Sequence, residues 1–242
     1  TLLGQNVNAY GKDLENEISF AELLECTSKI GIERIRFTTS HPRDLDDETI
    51  EVMGSGKNIM PHLHLPVQSG NNRVLKKMNR KYTREEYLEK IEKLKKAVPG
   101  ISITTDIIVA FPGETIEEFE DTVSLADTVK FEGAFTFIYS PREGTPAAKM
   151  EDNVPMEVKQ QRLYALQDKI NGYCNLNNQK WVGKTVKVLV DGPSRKNDQV
   201  FSGYTEHNKL VNFTAENVQP GDIIDVKITE HRSWTLRGEM VK

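Results

Sequence analysis

Five apolar, β-branched runs in this chain each close on a short polar motif, and most of the motifs lead into an amphipathic helical pattern. The motifs are Leu3-Gly4-Gln5-Asn6-Val7-Asn8, Thr38-Thr39-Ser40-His41-Pro42, His62-Leu63-His64-Leu65-Pro66-Val67-Gln68-Ser69-Gly70, Asp106-Ile107-Ile108-Val109-Ala110-Phe111-Pro112-Gly113-Glu114-Thr115 and Tyr139-Ser140-Pro141-Arg142. Strand-then-helix units at intervals of roughly 30 residues predict an α/β fold, a parallel βα barrel. Such barrels carry their chemistry at the C-terminal strand ends, which is where these motifs fall. The strands read as Leu2-Leu3, Ile32–Thr38, His62–Val67, Ser102–Val109 and Ala134–Tyr139. Five are too few for a complete eight-stranded barrel, so the predicted barrel is partial and TIM-like. The chain opens at what reads as a strand end, without an initiator Met, and is read as a fragment of a longer protein.

Helix starts are marked by capping boxes, a hydroxyl at the N-cap and a carboxylate three residues on. They occur at Ser19/Glu22, Thr83/Glu86 and Thr115/Glu118. After Thr83, Tyr87, Leu88, Ile91, Leu94 and Val98 keep helical spacing, and Pro99-Gly100 stops the helix. Asp46-Asp47-Glu48 places negative charge at another helix start, which suits the macrodipole. A long helix is predicted from Met156 to Leu176, with Val158, Leu163, Leu166 and Ile170 as its apolar stripe.

From Val182 the pattern changes to short alternating strands: Thr185–Val190, Gln199–Thr205, Leu210–Phe213, Ile223–Thr229 and Thr235–Met240. Asp191-Gly192-Pro193, Lys196-Asn197-Asp198 and Gln219-Pro220-Gly221-Asp222 read as the turns between them. This predicts a small all-β barrel of about 60 residues. The expected division is therefore a partial βα barrel over 1–155, a connecting helix over 156–178 and the β barrel over 179–242. Lys and Arg exceed Asp and Glu, ten to eight, in the β segment, whereas the residues before it show the reverse, 22 to 28.

Composition narrows the function classes. Charged residues make up 28% and hydrophobic ones 37%, as in soluble globular chains, and no apolar run reaches the roughly 18 residues of a membrane span. The net charge of −4 argues against a generally basic nucleic-acid binder, though not against a local basic face. Cys26 and Cys174 lack metal-ligand spacing, and two isolated thiols favour no more than a reducing compartment; with no secretory signal visible, the expected location is the cytoplasm. His62 and His64 alternate on one strand face and would need a further ligand to hold a metal; a structural or substrate-contacting role fits them better. As a group, Gln5, Asn6, Asn8, Ser40, His41, Gln68, Asp106, Tyr139 and Arg142 converge on one barrel mouth. A ligand rich in hydrogen-bonding groups, such as a nucleoside, suits that set better than a metal does. There is no Gly-rich phosphate loop, no Ser-His-Asp spacing and no paired acids for hydrolysis.

These motifs resemble the methylthiotransferase branch of the radical S-adenosylmethionine enzymes, and in particular its tRNA-modifying MiaB subgroup. Leu3 to Gly11, Arg36 to Pro42, His62 to Gly70, Met78 to Arg84 and Phe135 to Arg142 carry the likeness. The β segment ending Trp234-Thr235-Leu236-Arg237-Gly238-Glu239 resembles the TRAM domain, an OB-like RNA-binding barrel. The chain departs from the family where Ala110 replaces a usual Gly and Glu143 a frequent Pro. It also lacks the family's C-x3-C-x2-C motif and the N-terminal domain with three further cysteines.

The resemblance implies radical methylthiolation of N6-isopentenyladenosine beside the tRNA anticodon. It implies S-adenosylmethionine and two 4Fe-4S clusters whose ligands lie outside this chain, a tRNA anticodon stem-loop as partner, a reductant protein and no membrane. It suggests Gln5 and Asn6 for the methionine end of S-adenosylmethionine or the neighbouring substrate. Ser40, Gln68 and Asp106 are its candidates for the methionine or ribose. The backbone around Val109 and Phe111, with Tyr139, would flank the adenine, and Arg142 would meet a phosphate or carboxylate. For RNA it suggests Lys184, Lys187, Arg195, Lys196, Lys209, Arg232 and Arg237, with Phe201, Tyr204, Phe213 and Trp234 for packing or stacking. The alternatives are a sibling acting on a ribosomal-protein Asp or on threonylcarbamoyl-adenosine in tRNA, and a chain acting only as an RNA-binding module.

Overall fold

The computed structural model describes residues 1–15, 17–194 and 197–241. The chain forms two compact units, Thr1–Ile170 and Asn171–Lys242.

In the first unit three parallel strands, β1 (His62–His64), β2 (Ser102–Val109) and β3 (Gly133–Ile138), lie in sequence order. The two earlier expected strands shrink to single parallel bridges, Leu2 to Phe37 and Ile35 to Ile59. Their local chemistry explains this. Ile35 and Phe37 are buried, but Ile32 and Leu3 are exposed, so only a short stretch gains from pairing. The parallel βα progression is nonetheless kept, as Leu2 N–H donates to Arg36 O and Met60 N–H to Ile35 O.

The helices are α1 (Phe20–Ser28), α2 (Asp47–Ser55), α3 (Asn72–Lys77), α4 (Arg84–Ala97), α5 (Ile116–Val129) and α6 (Met156–Gln179). All three expected capping boxes form, at Ser19, Thr83 and Thr115. Asp46 caps α2, and Asn71 caps the unpredicted α3 by accepting from Arg73 N–H and Val74 N–H. One face of the sheet, with Leu63, Leu65, Ile103, Ile107 and Val109, is buried in a core that includes Tyr87, Leu94 and Leu125. The Tyr87 hydroxyl donates to Leu65 O at 3.0 Å, which satisfies a carbonyl beyond the end of β1. At Gly70 a Cβ would stand 2.6 Å from both Asp121 O and Thr122 Cα, so only glycine lets this loop meet α5.

α6 differs from its predicted stripe. Its buried positions in this unit are Lys159, Arg162, Leu166 and Ile170, whereas Val158 and Leu163 are half-buried. The two cations are buried because each meets an acid: Lys159 pairs with Asp152, and Arg162 with Glu114.

The second unit contains a closed barrel of β4 (Thr185–Ser194), β5 (Asn197–Thr205), β6 (Leu210–Thr214), β7 (Ile223–His231) and β8 (Leu236–Met240), in the order β4-β5-β6-β8-β7. All pairs are antiparallel except β6 with β8. Val188, Val190, Val211, Phe213, Val226, Ile228 and Leu236 fill it. The expected turn at Asp191-Gly192-Pro193 is instead part of β4, with a register shift between Val190 and Gly192. A bulge absorbs both the glycine, at φ 145°, and the missing N–H of Pro193.

Candidate functional site

The strand ends of the first unit are stitched to one another. Val7 N–H donates to Thr39 O, and the Thr39 hydroxyl to Gly4 O. Asn8, fully buried, donates to His41 O at 3.1 Å and accepts from His41 N–H at 2.9 Å. The His41 ring then meets Tyr82 edge-on at 5.5 Å, and the Tyr82 hydroxyl donates to Val67 O at 2.9 Å. Burial first, and then the Arg80 guanidinium, lowers the His41 pKa below the usual imidazole value. Further along, Gln68 N–H donates to Asp106 O, Ile108 N–H to Gln68 O, and Tyr139 N–H to Val109 O. Phe111 and Tyr139 meet edge to face at 5.0 Å. Contacts thus run without a break from the first motif to the fifth.

Three of these ends carry non-glycine residues in the left-handed region: Thr39 (φ 61°), Gln68 (φ 68°) and Ala110 (φ 57°). Such strain collects at binding and catalytic sites. Unpaired polar atoms gather here too. Ser40 Oγ, Tyr139 Oη and Asn6 Oδ1 are buried without a hydrogen-bond partner among the described residues. Buried polar atoms normally find partners, so these three mark places for water or a ligand.

The candidate residues divide by surroundings. Asn6 Nδ2 donates to Asp44 Oδ2 at 2.6 Å, beside Lys12 and Arg43 on the same carboxylate. Burial alone would raise the Asp44 carboxyl, but the bonds from Arg43, Asn6 and Lys12 outweigh it and hold it well below the usual carboxylate range. Gln5 and Arg142 are exposed, Arg142 in a turn closed by Thr145. Ser40 and Gln68 are buried, and the Gln68 amide bonds to no side chain or backbone group among the described residues. The Val109 side chain lies in the helix-facing core, leaving its backbone to the site. Asp106 faces the opposite side of the sheet.

That opposite face carries residues the sequence reading passed over. Thr104 stands between His62 and His64, and Phe135 and Phe137 follow on β3, register partners of Asp106 and Ile108. Two exposed phenylalanines alternating on one strand were the available signal. Glu114, inside the fourth motif, ties two elements together. It accepts from Ala110 N–H at 2.7 Å and from Arg162 Nη1 at 2.9 Å, anchoring the fourth motif to α6. Burial, opposed by these two donors, raises its pKa.

In the second unit, Lys184 lies over the Trp181 ring at 5.3 Å, and Arg232 is exposed beside the exposed Trp234. Lys187 and Arg237 are exposed next to acids, Asp225 at 3.7 Å and Glu230 at 3.5 Å. Lys209 is buried, which takes its charge away from the surface. Arg195 and Lys196 lie outside the described residues. Phe213 fills the barrel and Phe201 stacks on it, whereas Tyr204 and Trp234 face solvent. A groove of ≈ 790 Å³ crosses β5, β6 and β8; the charged side chains on it are Asp191, Glu230, Arg237 and Glu239, a balance that disfavours phosphate.

Cys26 is exposed on α1 and Cys174 buried within α6. Among the described residues no three His, Cys, Asp or Glu side chains gather to hold a metal ion, and no helix is long and apolar enough to cross a membrane. Ser40 Oγ, Tyr139 Oη and Asn6 Oδ1 are oxygens of the kind a nucleoside-like ligand would bond to, and the two thiols, one exposed and one buried on different helices, do not form a cysteine set for an iron–sulfur cluster.

Comparison with known proteins adds family relationships. The radical SAM superfamily model matches residues 1–126, and the TRAM domain model residues 179–241. The chain is similar to the tRNA-2-methylthio-N(6)-dimethylallyladenosine synthase of Bacillus cytotoxicus, 58% identical over 243 residues that cover 100% of this chain and 48% of that protein. The protein of the same name from Oceanobacillus iheyensis is 57% identical, with 100% and 47% covered. The chain spans about half the length of the curated relatives it matches. Among solved structures, coproporphyrinogen III oxidase (HemN) from Escherichia coli, described as a radical SAM enzyme, aligns with a TM-score of 0.50 at 12% identity. That alignment covers 77% of this chain and 51% of that one, a likeness of fold alone.

Proposed function

Because the chain belongs to the radical SAM superfamily and carries a TRAM domain, we propose that it is the later part of an enzyme that methylthiolates N6-isopentenyladenosine in tRNA. The observation that carries this reading is the 58% identity, over all of this chain, to a protein named for that product. The site geometry supports it: a row of strained strand ends holds unpaired buried oxygens, a free amide and a carboxylate, as a hydrogen-bond-rich nucleoside requires. In this reading Ser40, Gln68, Asp106 and Tyr139 bind S-adenosylmethionine, and Phe111 packs on Tyr139 to bound its adenine. Asn6, held by Asp44, orders the first motif beside the ligand, and exposed Gln5 and Arg142 reach the methionine end or the substrate.

S-adenosylmethionine and two 4Fe-4S clusters supply the radical, sulfur and methyl chemistry when bound, with electrons from a reductant protein. The chain's own share is to bind, orient and exclude water. The strand-end region, 1–155, holds the cofactor, 156–178 connects, and 179–242 binds the tRNA anticodon stem-loop. The tRNA substrate places the enzyme in the cytoplasm.

The test is the full-length, cluster-loaded protein incubated with tRNA bearing N6-isopentenyladenosine, S-adenosylmethionine and a reductant. Mass spectrometry of the digested tRNA should show the 2-methylthio nucleoside. Product only on threonylcarbamoyl-adenosine or on a ribosomal protein would transfer the reading to a sibling activity.

A further inference from the structure

Along β1 and β2 runs a row of polar contacts, two hydrogen bonds and one close imidazole–carboxylate approach, that leads to Asp106. His62 Nε2 lies 3.1 Å from Thr104 Oγ1, His64 Nδ1 lies 3.0 Å from the same oxygen, and His64 Nε2 lies 3.4 Å from Asp106 Oδ1. The chemistry of the groups gives the row a direction. A carboxylate offers acceptors, so the ring nitrogen turned to Asp106, Nε2, is the one placed to donate. With its N–H at Nε2, the His64 ring accepts at Nδ1, and the Thr104 hydroxyl, with one proton to give, supplies that bond. Thr104 Oγ1 in turn accepts from His62 Nε2–H. The order is His62 to Thr104 to His64 to Asp106, with every donor pointing towards the carboxylate.

The row is held in place from both sides. His62 is buried, and the His64 ring meets Phe135 edge-on at 6.2 Å. Asp106 side-chain exposure is 30%, and among the described residues His64 is its single side-chain partner. One carboxylate oxygen is thus fixed by His64 while the other is open to a donor from outside the chain. Gln68, whose backbone bonds to both Asp106 and Ile108, brings its free amide to the same strand end.

We infer that His64 is a positioning residue: through Nε2 it fixes the rotamer of Asp106, so that the open carboxylate oxygen meets a hydrogen-bond donor of bound S-adenosylmethionine. Thr104 and His62 set the tautomer that makes this possible, as an orienting second partner does for a metal-bound or catalytic imidazole. The inference rests on the reading that S-adenosylmethionine occupies these strand ends. It goes further by assigning a role to a residue that does not itself touch the ligand.

The experiment is a double-mutant cycle in the full-length, cluster-loaded enzyme, read as S-adenosylmethionine affinity by equilibrium dialysis, without reductant or tRNA. His64→Ala should weaken binding on the order of 10-fold, the effect of loosening one charge-assisted bond. His64→Gln, which keeps an N–H donor, should recover most of that loss. Thr104→Val should weaken binding by about 3-fold, since it acts one bond further away. In an Asp106→Asn background both His64→Ala and Thr104→Val should change the affinity by less than about 2-fold, because their effect passes through the carboxylate. Thermal melting of each variant separates folding from positioning. A His64→Ala loss that persists undiminished in the Asp106→Asn background, or that His64→Gln fails to recover in a folded protein, would overturn the positioning role. Failure of the unsubstituted enzyme to bind S-adenosylmethionine would instead overturn the reading of the site.

Discussion

Ala110 shows how closely balanced the strand-end strain is. A non-glycine residue in the left-handed region costs about 1–2 kcal/mol, and Ala110 is held there, at φ 57°, by its bond to Glu114. Replacing it with glycine removes that strain but loses a buried methyl, about 0.8 kcal/mol, and adds about 0.5–1 kcal/mol of chain entropy to the unfolded state. Ala110→Gly should therefore shift stability by less than about 1 kcal/mol in urea unfolding, whereas Ala110→Val, β-branched in the same region, should lose more than about 2 kcal/mol. Asp44 gives a pH signature. Its folded pKa lies below the unfolded value, so its stabilisation is present above about pH 4 and is lost as pH falls through the folded pKa. Asp44→Asn should lose roughly 1.5–3 kcal/mol near neutrality, and the gap to the unsubstituted protein should close as pH falls below about 4. A gap that stays constant down to pH 3 would show that the carboxylate charge is not what Asn6, Lys12 and Arg43 hold.

The fourth strand–helix unit depends on a charge pair between elements. Arg162 on α6 and Glu114 ahead of α5 are both buried, with Arg162 also 5.7 Å over the Phe119 ring. Removing one member of a buried pair typically costs about 3–5 kcal/mol because the other charge is left unpaired. Arg162→Met should fall in that range at pH 7, and adding Glu114→Gln should restore part of it. The sign of the pH effect follows from burial. Glu114 has a raised folded pKa, so its contribution is fullest below the unfolded pKa and falls as pH rises through the folded one. Without Arg162 that pKa rises further, so the Arg162→Met defect should shrink as pH is lowered towards 4. Neither member's partner was legible in the sequence, since 48 residues separate them. The capping boxes at Ser19, Thr83 and Thr115 were legible because each is complete within four residues. So were the strand ends, where apolar run, polar motif and helix start lie next to one another in the chain. What escaped was set by distant pairing in two cases, the shrinkage of Ile32–Thr38 to single bridges and the meeting of His64 with Asp106 from two strands, and by brevity in a third, the six-residue α3, too short to show a helical period.

The chain as a whole carries a net charge of −4, yet the proposed function asks it to hold RNA. Attraction must then come from a few cations of the second unit, and their surroundings differ. Lys187 and Arg237 each have an acid within 4 Å, and Lys209 is buried, so these three add little field at the surface. Lys184, against Trp181, and Arg232, beside Trp234, are exposed without an acidic partner among the described residues. Each phosphate contact to single-stranded RNA contributes about 0.7 to the slope of log affinity against log salt. Two to four contacts predict a slope of about −1.5 to −3 for an anticodon stem-loop RNA. Lys184→Ala and Arg232→Ala should each reduce that slope by roughly 1 or slightly less, while Arg237→Ala should leave it nearly unchanged. Trp234→Ala should weaken binding by about 1–3 kcal/mol with no change in slope, because stacking on a base releases no counterions. Fluorescence anisotropy with the RNA, from 50 to 200 mM salt, separates the two kinds of contact. A slope that falls equally for Arg237→Ala and Arg232→Ala would mean that pairing with Glu230 does not shield Arg237, and that the RNA-binding face extends across β8.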